Sequence, residues 1–575
     1  MEKRNSYLVN RAFMGFLLAS VLTVAVSQVG GMVDGMMLSY FINEQAMSSV
    51  NICRPVMQAL FALSMLIGAG SSMMTGVAIG NHQRKEANRI FTVVMLMVVA
   101  VGVVALVAGV AFLDPLTGWL CSDEALRGVS AQYLGVTLYG ALFYMATMVL
   151  NMFVAVDGNP RRVTLAVSVS MLTNLVLDYI FIKLLGWGVL GAAWATVASY
   201  VVAVAVLLPH FLQADTLRLQ MRSCTKLIGS ILSSGLPFGL ATMLIAVQLW
   251  GNNTLIMHYL GEGGIIALSV CCYLLLLSMI ILTGTLKAFQ PVASILKGAG
   301  DVRGVMMVIG RAYRFMAISF VVFVIPLVFF PRVVAQAFGV SDGPWQDITA
   351  GAIPPFTLNI VLQCAIYLLI PIYQLFGNKR LSLFVSVGQS LAPMFGLWLF
   401  AEVAPGYIWW GFAAGQLAIL LGVLVLAAIV RSRHAELSPM LLVPDGKQVE
   451  SLETSIPRQM EAVGTMLQEL DGYLKKHIAD SRLTMHIEVC SEELLKNAIQ
   501  HGGGDGKRRY IDYRLTLHDK QAVVVISDDG KAFNPVEYDN DTGLGLLLVR
   551  GLCQNVKYDY LFQQNMTTIT FEKSE

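Results

Sequence analysis

Apolar runs of about 20 residues, each long enough to cross a hydrocarbon core of roughly 30 Å, recur between Ala12 and Val430 and then stop. Charged or turn-rich breaks divide them into twelve expected spans, near 12–38, 50–78, 90–113, 131–155, 163–185, 188–208, 231–257, 265–290, 310–331, 350–374, 382–402 and 408–430. After Arg431 the pattern changes. A polar, Pro-containing stretch from Leu437 to Lys447 reads as a linker. Beyond it, apolar positions follow helical spacing near 457–477 and 480–500, then strand-like alternation at 510–517 and 521–527. A helix after Gly543 and strands near 556–561 and 566–572 complete the pattern. The expected fold is a polytopic α-helical membrane protein of about twelve transmembrane helices, followed by an α+β domain of about 130 residues, an ordinary domain size.

The membrane part repeats itself. Gly158-Asn-Pro-Arg161 realigns with Gly377-Asn-Lys-Arg380, Cys121-Ser-Asp123 with Val340-Ser-Asp342, and Ile79-Gly-Asn81 with Leu296-Lys-Gly298-Ala-Gly-Asp301. Gly158 and Gly377 are 219 positions apart, and so are Asp123 and Asp342. Six spans per unit, an even number, give two units of parallel topology, as in transporters whose halves are related by an axis along the membrane normal. The expected organisation is a first six-helix lobe over 1–215, a second over 216–436, a linker over 437–454 and the α+β domain over 455–575.

Alternate loops carry very different numbers of basic residues. One set holds Lys3, Arg4, Arg11, Arg84, Lys85, Arg89, Arg161, Arg162, Arg218, Arg222, Lys226, Lys297, Arg303, Arg311, Arg314, Lys379, Arg380, Arg431 and Arg433; the other holds only Arg127, Lys183 and Arg332. The positive-inside rule makes the first set cytoplasmic and places both termini and the C-terminal domain inside. The first span, with no small-residue cleavage site after it, reads as a retained helix. The chain is 56% hydrophobic and 13% charged with a net charge of +2, and no basic stripe with interleaved aromatics points to a nucleic-acid partner. Its eight cysteines form no CxxC pair and no zinc spacing.

An ionisable residue inside a span costs at least about 2.5 kcal/mol on insertion scales and needs a reason. Asp34 ends the first span, and Asp178 follows Asn174 by four residues on one helix face. A carboxylate in a low-dielectric cavity exchanges a proton near neutral pH or, when ionised, coordinates Na⁺ with an amide oxygen such as that of Asn174. Gln28, Asn151, Gln248, Asn252, Asn253, Gln290, Gln363 and Gln389 are uncharged polar residues within the spans, where hydrogen bonding between helices is their ordinary role.

Val33-Asp34-Gly35, Gly80 before Arg84-Lys85, Asp157-Gly-Asn-Pro160, Asn174-Leu-Val-Leu-Asp178, Gly188-Val-Leu-Gly-Ala-Ala193 and Lys297-Gly-Ala-Gly-Asp301 occur in one order. Together they resemble the multidrug and toxin extrusion (MATE) family from about Arg11 to Val430. The resemblance implies a V-shaped pair of six-helix lobes that exports organic cations or other amphiphiles in exchange for H⁺ or Na⁺, with Asp34, Asn174 and Asp178 at the ion site of the first lobe. Members that place acidic residues in spans 7 and 10 have no counterpart here, because 231–257 and 350–374 contain no Asp or Glu.

The α+β domain carries three chemical stations in order. In Ser491-Glu-Glu-Leu-Leu-Lys-Asn497, Glu493 and Asn497 share a helix face, with His501 one turn further. The Asn497 amide oxygen suits Mg²⁺, and Glu493 is placed to accept a proton from an attacking hydroxyl or water. Ser527-Asp528-Asp529-Gly530 ends a strand, where Asp528 can accept a hydrogen bond from an adenine amino group and Gly530 permits close backbone approach. Gly543-Leu-Gly545-Leu opens a helix, whose free N–H groups and dipole face phosphates.

This domain resembles the histidine-kinase-like (GHKL) ATPases of the Bergerat fold, in the anti-sigma-factor serine kinase branch. Glu-Leu-Leu-Lys-Asn-Ala-Ile-Gln-His501, Gly543-Leu-Gly-Leu-Leu-Leu-Val-Arg550 and Asn565-Met-Thr-Thr568 carry the match. The resemblance implies ATP and Mg²⁺ as cofactors, Thr567 among the nucleotide contacts, and phosphorylation of a serine or threonine on a separate, STAS-type partner. No helical dimerisation segment with a phospho-accepting histidine precedes the domain.

The expected protein is an ion-coupled exporter of cationic or amphiphilic small molecules in a bacterial inner membrane, in contact with lipid and carrying a cytoplasmic ATP-binding, serine-kinase-like regulator. Two alternatives share these features: a membrane receptor kinase in which the transporter fold senses a ligand, and a flippase for lipid-linked molecules.

Overall fold

A computed structural model describes residues 4–42, 44–120, 124–213, 216–220, 225–340, 343–444, 450–501, 509–535 and 544–573. The membrane helices are α1 (Tyr7–Phe41), α2 (Glu44–Gly80), α3 (Arg84–Ala111), α4 (Leu113–Leu120), α5 (Glu124–Tyr139), α6 (Ala141–Val156), α7 (Pro160–Asp178) and α8 (Gly188–Leu207). They continue with α9 (Thr225–Gly298), α10 (Val302–Phe329), α11 (Pro331–Ala337), α12 (Pro344–Tyr367), α13 (Leu369–Leu375), α14 (Lys379–Val403) and α15 (Trp410–Arg433). The C-terminal elements are β1 (Glu450–Pro457), α16 (Met460–His477), α17 (Ser481–His501), β2 (Tyr510–Leu517), β3 (Gln521–Asp528), α18 (Leu544–Leu552), β4 (Asn555–Leu561) and β5 (Gln564–Glu572).

Among the described residues ten helices are long and apolar enough to cross a membrane, or eleven if a pair bent by 53° at Gly140 counts as one span. The longest holds 72 residues, Leu227–Gly298, and is interrupted at Gly261 (φ 65°, ψ −154°), a backbone region open to glycine alone. It therefore contains two of the expected spans, and all twelve are accounted for. The internal repeat also has a local structural signature. Gly158 (φ 93°) and Gly377 (φ 83°) adopt the same left-handed conformation, and each is followed by an asparagine, Asn159 or Asn378, at the N-cap of α7 or α14. Asp123 and Asp342 lie outside the described residues.

The chain divides into two compact units: Phe16–Asp301 with Ile309–Pro444, and Met1–Gly15 with Val302–Val308 and Asp445–Glu575. In the first unit, α2 packs along α9 more extensively than any other helix pair. Small residues make this approach close. A Cβ at Gly76 would overlap Ser294, one at Gly80 the backbone of Ile295, and one at Gly298 the backbone of Val77.

The second unit is built on an antiparallel five-stranded sheet in the order β1-β2-β3-β5-β4. Alternate residues face α16 and α17 and form one core: Leu452 and Ile456 on β1, Ile511, Tyr513 and Leu515 on β2, Val524 and Ile526 on β3, Ile569 and Phe571 on β5. The helices meet it with Val463, Met466, Leu470, Leu483, Ile487 and Leu494. Strand β1 was not among the expected elements, and it starts within the stretch read as linker. Its inward positions, Leu452 and Ile456, alternate with the polar Glu453 and Ser455. Ser455 is nevertheless buried and the side chain of Glu453 largely so, because the N-terminal residues Arg4 and Asn5 cover them.

Candidate functional site

The end of β3 is where the polar part of the nucleotide-like site assembles. Antiparallel register sets Asp528 opposite Asn565 on β5 and Ile526 opposite Thr567, so Asp528, Asn565 and Thr567 lie on the helix-covered face at one end of the sheet. Asn565 Nδ2 donates to Asp528 Oδ1 at 3.0 Å and to the Lys531 carbonyl at 2.9 Å, and the Gly530 N–H donates to the same Asp528 Oδ1 at 2.7 Å. Both bonds to Asp528 fall on one oxygen, which leaves Oδ2 for a ligand. Burial raises the Asp528 pKa above its ordinary value, against the lowering effects of Asn565, the Gly530 N–H and the Arg458 and Arg509 guanidinium groups.

This carboxylate opens on a cleft lined by Leu494, Asn497, Ala498, Ile526, Asp528, Lys531, Phe533, Pro535, Asn565 and Thr567. Apolar walls with a few convergent polar groups suit a flat heteroaromatic ring bearing an amino group. Asn565 was visible in sequence only as part of a terminal motif. Its role here, holding Asp528, follows from the strand register.

On α17, Glu493 and Asn497 stand one turn apart, with Asn497 Nδ2 3.5 Å from Glu493 Oε1. Gly545, in the first turn of α18, lies against the Glu493 carboxylate so closely that a Cβ there would overlap it. Gly545→Ala is therefore expected to push Glu493 out of line. With Glu493 as the base the sequence leads one to expect, ATP-dependent turnover should fall roughly 10²-fold, the cost of a displacement near 1 Å at a reacting group. Gly543 lies outside the described residues, and His501 is the last residue of α17. No group of three His, Cys, Asp or Glu side chains able to hold a metal occurs among the described residues. A single amide ligand, Asn497, fits Mg²⁺ held mainly by nucleotide phosphates and water.

Asp529, next in sequence, is wholly buried at its side chain and takes different partners. It pairs with Arg11, accepts a hydrogen bond from Tyr7 Oη at 3.1 Å, and has Arg509 Nη1 at 3.9 Å. The same N-terminal segment continues along the sheet. Arg4 Nε meets Asp512 Oδ2 at 3.0 Å, the Asn5 N–H donates to Ser455 Oγ at 3.0 Å, and Gln564 Nε2 donates to the Leu8 carbonyl at 2.8 Å.

The membrane unit gathers the other candidates. Asp178 at the end of α7 is 0% exposed, and apart from the neighbouring Asp34 carboxyl neither of its oxygens meets a donor among the described residues. The Asp34 carboxyl of α1 is its neighbour, with Arg54 of α2 close to Asp34. Asn174 is buried one turn before Asp178, and its Nδ2 lies 3.5 Å from Thr196 Oγ1 of α8. Tyr133 of α5 lies near Thr196 and both carboxyls. Two carboxyl groups side by side cannot both remain charged in such surroundings without a proton or a bound cation between them. Arg54 and Lys287 are further ionisable groups inside apolar helices and are not among the candidates above. A lone lysine within Ile265–Gln290 is the sequence signal that identifies the second.

Comparison with known proteins agrees with both halves. Residues 19–180 match the MatE family, and residues 456–573 match the family described as Histidine kinase-like ATPase domain. The chain is 24% identical over 269 residues to the probable multidrug resistance protein YoeA of Bacillus subtilis (strain 168), covering 45% of this chain and 58% of that protein. It is 22% identical over 241 residues to the multidrug export protein MepA of Staphylococcus haemolyticus (strain JCSC1435), covering 41% of this chain and 53% of that protein. The chain thus spans little more than half the length of these curated relatives. A crystal structure of MATE in the bent conformation superposes with a TM-score of 0.68 at 20% identity, over 75% of this chain and 98% of that one. The protein joins a MatE domain, within a membrane part that has the fold of MATE transporters, to a C-terminal histidine kinase-like ATPase domain.

Proposed function

We propose that the membrane unit is an antiporter that exports amphiphilic small molecules in exchange for H⁺ or Na⁺, and that the C-terminal domain binds ATP with Mg²⁺ and regulates this exchange. The observation that supports coupling most directly is the Asp34–Asp178 pair, whose buried Asp178 oxygens lack any donor but the Asp34 carboxyl among the described residues. Relatives named as a multidrug resistance protein and a multidrug export protein support the export reading. In this reading the two lobes span 1–215 and 216–436, and the surplus of basic residues in alternate loops supports cytoplasmic termini in an inner membrane.

ATP acts on control rather than as the driving force. The sequence holds no Gly-x-x-x-x-Gly-Lys-Ser/Thr loop of pump ATPases. Asp528 and Thr567 would receive the base, Asn497 the magnesium ion and Gly545 the phosphates. Glu493 would take the proton from a serine or threonine hydroxyl of a STAS-type partner. Helix α1 supports a regulatory link, since Asp34 lies on it and its early residues Tyr7 and Arg11 hold Asp529 beside the nucleotide carboxylate.

The test is reconstitution of the full chain in liposomes with an imposed pH or Na⁺ gradient. Addition of ethidium should dissipate one of the two gradients, at a rate that ATP alters. Absence of flux under both gradients, with ATP turnover that responds to ethidium, would replace the antiporter with a sensor kinase.

A further inference from the structure

Lys287 sits in the second half of α9, in a stretch where Ile265–Gln290 contains no other charged residue. Its side chain is exposed. Its neighbours on α9 fix the direction in which it points. Gly284, three residues before it, packs against Val21 of α1, and Gln290, three residues after it, reaches Met73 of α2 with Nε2 4.0 Å from sulfur. Residues three apart share a helix face, so Lys287 faces α1 and α2 and not lipid. Seven residues further on, about 10 Å along the helix, Ser294 closes against Gly76 of α2. Lys287 therefore stands just beyond a sealed contact between α2 and α9.

No counter-ion comes from the facing stretches of these helices. From Ala12 to Val33 on α1 and from Pro55 to Gly80 on α2 there is no Asp or Glu, and Lys287 forms no ion pair among the described residues. An ammonium group in a low-dielectric crevice attracts an anion strongly, because little water competes for it. We propose that Lys287 anchors the anionic oxyacid group, carboxylate or phosphate, of the amphiphile bound between α9 and the α1–α2 pair. Asp34 and Asp178 then serve the coupling ion, and Lys287 selects among substrates by charge. This rests on the transporter reading above, but its binding test needs no turnover.

The full chain in neutral phosphatidylcholine nanodiscs should be titrated with two dyes of one aromatic framework, anionic 5-carboxyfluorescein and cationic rhodamine 6G, by fluorescence anisotropy. Lys287→Gln should weaken 5-carboxyfluorescein by at least about 10-fold, as for loss of a charge-assisted hydrogen bond. Lys287→Arg should stay within about threefold of the parent and rhodamine 6G should not weaken. If phosphatidylglycerol added to the nanodisc displaces the anionic dye, a lipid phosphate is the source of the anion; if only soluble anions do, a free amphiphile is. Equal 5-carboxyfluorescein affinity in the parent and Lys287→Gln, or equal loss of both dyes, overturns the proposal. Ethidium-driven flux with no effect of Lys287 removes this site alone, whereas Lys287-dependent binding without flux removes the antiporter reading alone.

Discussion

Proteoliposomes containing the Asp34→Asn, Asp178→Asn double variant are expected to dissipate an imposed gradient no faster than protein-free vesicles when substrate is added. Asparagine keeps the shape of aspartate but exchanges one acceptor oxygen for an NH₂ donor and carries no exchangeable charge, so a site that works by taking up and releasing a cation stops. Each single variant separates the roles within the pair. Asp178→Asn removes the buried member, whose oxygens have no donor but the Asp34 carboxyl among the described residues, and should be the more damaging. Asp34→Asn leaves the buried Asp178 carboxyl in place. Substrate-dependent dissipation that persists at the parental rate in the double variant would remove the ion assignment from this pair. Binding of ethidium to the same sample, measured without a gradient, distinguishes lost coupling from lost folding.

Asp528→Asn should weaken ATP by roughly 10²-fold, because a charge-assisted hydrogen bond worth about 1.5–3 kcal/mol disappears and a donor takes its place. The direction of the amide is fixed by its surroundings. Gly530 N–H and Asn565 Nδ2 both donate to Oδ1, so the asparagine oxygen stays there and its NH₂ points at the adenine amino group. Guanine presents a carbonyl at that position, so the variant should prefer GTP over ATP relative to the parent, a change in ratio that misfolding would not produce. Acidity should act in the same direction on the parent. Since burial raises the Asp528 pKa, ATP affinity should begin to fall with acidification above the ordinary carboxylate value near 4. The sign for folding is opposite. A carboxyl with a raised native pKa binds protons more readily folded than unfolded, so the ligand-free domain gains stability as pH falls through that raised value. Calorimetry at several pH values checks both, and ATP binding insensitive to Asp528→Asn would place the base elsewhere.

The sequence revealed most where one periodic signal was sufficient. Twelve spans were readable from apolar runs alone, and Gly261 explains why one helix contains two of them. The helix turn, the strand end and the helix start that carry the three expected stations were readable because each is local. What depends on distant segments was not readable. The adjacency of Asp34 and Asp178 needs α1 to meet α7, and the support of Asp528 needs the β3–β5 register. Strand β1 was missed for the same reason, since Glu453 and Ser455 look like solvent-facing residues until Arg4 and Asn5 are laid over them. Lys287 was legible as an oddity, but its facing toward α1 and α2 required the packing of Gly284 and Gln290.

The N-terminal segment has a practical meaning for anyone who isolates the ATPase domain. Its match covers 456–573, yet its charge balance is completed by residues from the opposite end of the chain. A fragment beginning at Asp445 would keep Glu453, Asp512 and Asp529 and lose Arg4 and Arg11, their cationic partners. Carboxylates that were buried against guanidinium groups would face one another across a bare sheet. Such a fragment would be more acidic and less stable than the same residues in the intact chain, and a covalently attached peptide reproducing Arg4–Arg11 would restore it.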